Sequence, residues 1–129
     1  MTHELTILTY AGLLWGLQFL AYLAVGHGKM DFDWAMGPRD QEGERPGAVG
    51  RMHRALANHT EGLVLFAVAA LVVSVSGQST GFTATCASIY LGARLLYVPA
   101  YALAWQPWRT VIWLVSFFAT MAMLVAALI

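Results

Sequence analysis

Apolar positions in this chain come in long unbroken runs, not in the narrow stripes of a soluble amphipathic helix. The runs lie at about 5–25, 51–76, 82–104 and 109–129. Each has the length, about 20 residues, at which a helix rising about 1.5 Å per residue crosses a hydrocarbon core of about 30 Å. None alternates apolar with polar at a period of two, and turn signals do not interrupt them. Helices are therefore predicted, and barrel strands are not. The polar segments between them differ. Gly77-Gln-Ser-Thr-Gly81 is a short turn that predicts a tight antiparallel hairpin. Trp105-Gln-Pro-Trp108 joins the third run to the fourth, and its proline is expected to end a helix. The stretch at about 26–50 is a polar loop carrying Lys29, Asp31, Asp33, Arg39, Asp40, Glu42, Glu44 and Arg45. The expected fold is one all-α integral membrane domain over residues 1–129, an antiparallel bundle of four transmembrane helices.

Composition strengthens that expectation. Hydrophobic residues make up 59% of the 129 positions and charged ones 11%, where soluble domains carry about 25% charged. A soluble domain this small has too little interior to hide so much apolar surface. Formal net charge is zero, and with no basic cluster nucleic acid is not an expected partner. The single cysteine, Cys86, excludes an internal disulfide and reads as a small buried hydrophobe. The opening Met1-Thr-His-Glu4 lacks Lys and Arg, and the first apolar run is too long for a signal peptide. Lys29, Arg39, Arg45, Arg51 and Arg109 all flank the first and third connections. The positive-inside rule then puts those connections in the cytoplasm and both termini on the far side. Trp34, Trp105 and Trp108 suit an interfacial belt on the same side. Gly12-Leu-Leu-Trp-Gly16 is a small-xxx-small pattern that permits close helix approach.

The polar exceptions to these runs carry the chemistry. Arg51, Arg54, Asn58 and Glu61 recur at i, i+3, i+7 and i+10, one face of a helix. Arg94, Tyr97 and Tyr101 do the same on the third helix, and Arg109-Thr110 opens the fourth at the same membrane level. Ionisable groups in the hydrocarbon region are costly unless paired and usually mark function. An Arg94–Glu61 ion pair holding two helices together is the structural alternative. Arg51, Arg54, Arg94 and Arg109 nevertheless exceed what Glu61 neutralises, so the set calls for an external anion. Arginine binds carboxylates bidentately. Glu61 would accept from an ammonium group on the same ligand, and Asn58 offers both a donor and an acceptor. The ligand described is zwitterionic and peptide-like. His53 and His59 point off this face and read as packing histidines. No pairing of His, Cys or acidic residues on one helix face has metal-ligand spacing, so no metal is expected.

The sequence Arg54-x-x-x-Asn58-x-x-Glu61 before an apolar helix resembles a signature of the membrane-associated proteins in eicosanoid and glutathione metabolism, the MAPEG family. Tyr90-Leu-Gly-Ala-Arg94-Leu-Leu-Tyr97-Val-Pro-Ala-Tyr101 and Arg109-Thr110 are similar to the family's third-helix and fourth-helix motifs. The resemblance implies a homotrimer that binds glutathione between neighbouring subunits near the cytoplasmic surface. Arg51, Arg54, Asn58, Glu61, Arg94, Tyr97, Tyr101 and Thr110 would hold glutathione, and Arg109 would stabilise its thiolate. A lipophilic second substrate, an electrophile or lipid hydroperoxide, would arrive from the membrane lipids. The implied activity is that of a glutathione transferase or peroxidase. A non-catalytic lipid-binding member of the same family is the alternative. A small transporter with Glu61 as proton carrier fits less well, because the surplus arginines would hold that glutamate as an anion.

Overall fold

The structure, a computed structural model, describes residues 1–27, 47–103 and 107–129. The side chains of Ala48, Tyr101 and Ala102 lie outside the described residues, as do most of the polar loop, Trp34 and Trp105. Four helices follow in order: α1 His3–Gly26, α2 Gly47–Val75, α3 Gly81–Ala102 and α4 Trp108–Leu128. Three of them, α1, α2 from Val49 and α4, are long and apolar enough to cross a membrane. α3 is not among them. It has the length, but Thr83, Thr85, Ser88, Arg94 and Tyr97 dilute its apolar character.

Local sequence explains where the helices stop. α2 ends in a Schellman motif: Gly77 takes φ +73°, the Gln78 N–H donates to the Val73 carbonyl at 3.0 Å, and the Gly77 N–H donates to Ser74 at 3.3 Å. Thr80 then caps α3 reciprocally. Its hydroxyl accepts from the Thr83 N–H at 3.3 Å, while its own N–H donates to the Thr83 hydroxyl at 2.9 Å. The expectation for Pro107 is corrected. α3 has already ended at Ala102, and Pro107 instead sits at the N-cap of α4, where a missing N–H costs nothing.

Small residues let the helices approach. Ala11, Ala69, Ala70, Ala87 and Ala119 are core positions, with Phe66 and Tyr90 stacked between them at 4.1 Å and 1°. Lipid supplies no hydrophobic drive between helices, so close van der Waals packing has to. Gly12 and Gly16 do not share in this, since a Cβ at either would meet nothing within 4 Å. Two polar ties fix α1 to α2. The Trp15 indole N–H donates to Thr60 at 2.8 Å, and the His59 Nε2–H donates to the Ala11 carbonyl at 3.2 Å. One face of α2 stays uncovered. Arg54, Ala57, Glu61, Val64, Val68, Leu71 and Val75 are all exposed, at alternating spacings of three and four residues.

Candidate functional site

The bundle has two ends. The turn end holds the chain termini and Gly77–Gly81, and the loop end holds the two connections that leave the described residues. Because α2 and α3 form an antiparallel hairpin, the loop-end half of α2 lies beside the C-terminal half of α3. That arrangement brings Asn58 against Arg94. Arg94 is only 1% exposed. Its Nη1 donates to Asn58 Oδ1 at 2.9 Å, and its guanidinium carbon lies 4.3 Å from the centre of the Tyr97 ring. Among the described residues its Nε and Nη2 find no acceptor. A buried charged donor left unsatisfied is expensive, and most buried polar groups are paired.

A cavity of about 250 Å³ opens on the other side of these partners, lined by Asn58, Tyr97, Arg109, Thr110 and Trp113. Asn58 and Tyr97 therefore do double duty, touching Arg94 and walling the cavity. α4 contributes Arg109 in its first turn, with Thr110 beside it. Four predicted site residues from three helices thus share one polar cavity, and Arg94 stands directly behind two of them. A second cavity of about 120 Å³ lies roughly one turn deeper, between α2, α3 and α4, with Trp113 as a common wall. Glu61 is exposed at its edge, and Tyr90, Ser116 and Thr120 are buried in its lining.

The remaining candidates fall elsewhere. Arg51 is half-buried and Arg54 exposed on α2, and each engages neighbouring groups without lining either cavity. Tyr101 belongs to α3, with its side chain outside the described residues. The structure does not make the Arg94–Glu61 pair considered as an alternative. Asn58, one turn nearer the loop end than Glu61, takes the guanidinium instead. His59 faces α1, and the His53 ring lies 5.5 Å from that of Tyr22, so both pack away from the cavities. Tyr90, Trp113, Ser116 and Thr120 were not singled out as site residues from sequence. The signal was present for Tyr90, at i, i+4 and i+7 with Arg94 and Tyr97. The same holds for Trp113, Ser116 and Thr120, at i, i+3 and i+7 on α4.

The fold is a small helical bundle with three helices long and apolar enough to cross a membrane and an arginine-backed polar cavity at one end. Residues 7–129 match the MAPEG family, and the chain belongs to that family. No curated protein matches it. The family is membrane-bound and its function is glutathione-related. It includes glutathione transferases and peroxidases as well as members that are not enzymes.

Proposed function

We propose that this protein is a membrane-embedded, glutathione-dependent transferase or peroxidase acting on hydrophobic electrophiles or lipid hydroperoxides. One observation carries the reading. The residues that touch the buried, partly unsatisfied Arg94 also line a polar cavity with Arg109 and Thr110. Such a site is short of negative charge, and the carboxylates of glutathione supply it. Arg51, Arg54, Asn58, Glu61, Arg94, Tyr97, Tyr101 and Thr110 are the binding set, and Arg109 is the catalytic residue.

Glutathione, when bound, supplies a thiol whose anion attacks the electrophile. A free thiol has a pKa of about 8.5 and is mostly protonated at neutral pH. A guanidinium beside it favours the thiolate. The second substrate reaches it from the bilayer, which acts as its reservoir.

The assembly proposed is a homotrimer. The uncovered face of α2 supports it, because a 3–4 spacing sustained from Arg54 to Val75 is the repeat of a helix seam between copies. The loop end faces the cytoplasm by the charge asymmetry of the connections. The test is direct. Detergent-purified protein is expected to bind glutathione at millimolar concentration or tighter and to conjugate chlorodinitrobenzene. Absence of glutathione binding would favour the lipid-binding alternative. Binding without turnover on any electrophile or hydroperoxide would leave a binding protein.

A further inference from the structure

The smaller cavity is walled mainly by apolar side chains, Leu65, Trp113 and Phe117 among them. One polar demand interrupts those walls. The Tyr90 hydroxyl is buried, with the residue 1% exposed, and has no hydrogen-bond partner among the described residues. Its ring is stacked on Phe66 at 4.1 Å, which fixes the direction of the hydroxyl. Gly62 leaves the space before it open: a Cβ there would stand 3.9 Å from the hydroxyl oxygen. Ser116 and Thr120 have already given their hydrogens to the Trp113 and Ser116 carbonyls, at 2.8 and 2.9 Å. Of the hydroxyls in the lining, Tyr90 alone has a hydrogen left to give.

A buried donor among apolar walls asks for one accepting oxygen on an otherwise apolar molecule. That fits a lipophilic second substrate better than any part of a tripeptide. Leu65 in the wall is 40% exposed, so the cavity has an apolar border on the bundle surface. Among the second substrates proposed, the hydroperoxide is the one whose leaving atom is an oxygen that must take up a proton. We infer that this cavity seats the reacting end of a hydroperoxide, and that Tyr90 is the acid that protonates its leaving oxygen. The inference rests on the glutathione reading, which puts the attacking sulfur in the neighbouring cavity that shares Trp113. The sulfur bonds to the outer peroxide oxygen as the O–O bond breaks. The inner oxygen leaves with the electron pair and takes the Tyr90 proton, giving an alcohol. The proton lost earlier by the thiol restores Tyr90. Glutathione is left as its sulfenic acid, which a second glutathione thiol converts to the disulfide and water. A substrate whose leaving group is chloride needs no such proton.

The test follows glutathione-dependent turnover of cumene hydroperoxide and of 4-nitrobenzyl chloride by the full-length protein in detergent, with glutathione binding measured separately. Tyr90→Phe keeps the ring stack and removes only the hydroxyl. It is expected to lower kcat for the hydroperoxide by about 100-fold, the scale of a lost general acid, and to leave turnover of the chloride where it was. Gly62→Ala, a change that favours the helix, puts a methyl group before that hydroxyl and is expected to slow the hydroperoxide reaction alone. The inference is overturned if neither substitution separates the two substrates, or if the wild type turns over the chloride and not the hydroperoxide. Failure of the wild type to bind glutathione instead overturns the glutathione reading, and the inference with it.

Discussion

Two fully buried charged side chains sit at opposite ends of this bundle, and their surroundings are opposite too. At the turn end the Glu4 carboxylate, 0% exposed, takes the Thr83 hydroxyl at 2.6 Å and the Ser79 hydroxyl at 2.9 and 2.8 Å from its two oxygens. Thr83 in turn accepts from the Thr80 N–H, and Thr2 meets Ser74 at 2.6 Å close by. Every group in that knot has a partner supplied by the chain. At the loop end Arg94 has one hydrogen bond and one ring, with two nitrogens unmet among the described residues. The first arrangement is a clamp that pins the start of α1 to the α2–α3 turn. The second is a socket. In the proposed function, the demand left over at Arg94 is what a ligand meets, whereas the buried charge of Glu4 is already met by the chain.

Substitutions can break this contrast, and the largest effect is expected at the socket's mouth. Arg109→Ala should lower glutathione-dependent turnover of chlorodinitrobenzene by about 100-fold or more, the scale for losing one preorganised charge-stabilising donor. Glutathione affinity, measured separately, should fall much less. Next comes Arg94→Met. It should weaken glutathione binding by about tenfold or more, while Tm in detergent stays level or rises, since an apolar replacement relieves an unpaired buried charge. Glu4→Ala should behave in the opposite way, losing about 2–3 kcal/mol of stability as charge-assisted hydrogen bonds disappear, with glutathione affinity of the folded protein intact. The smallest effect is expected for Ser79→Ala, about 1 kcal/mol by the same thermal-melt measurement, because Thr83 still holds Glu4.

The sequence shows the socket more readily than the clamp, and the reason is physical. Arginines inside apolar helices are rare, so Arg54, Arg94 and Arg109 stand out, and helical spacing puts Asn58 and Tyr97 on the faces that wall the larger polar cavity. Glu4 stands at a helix start, where an acidic residue is ordinary. Its burial depends on a turn 75 residues away, at Ser79. Periodicity does not report such a contact. The choice between Asn58 and Glu61 as the partner of Arg94 was equally hidden. The two lie on one stripe, and only the vertical offset of α2 against α3 decides between them. Tyr90 was visible within its motif, yet the burial of its hydroxyl without a partner among the described residues depends on how the helices pack. Small-residue packing within the chain falls on alanines, and Gly12 and Gly16 lie outside it.

The most direct measurement is a glutathione titration by calorimetry on three purified proteins: the wild type, Arg94→Met and Glu4→Gln. A site made by unmet demand at the loop end predicts binding to the wild type and to Glu4→Gln, and strongly weakened binding to Arg94→Met. Equal affinity in all three, or none in any, would contradict it.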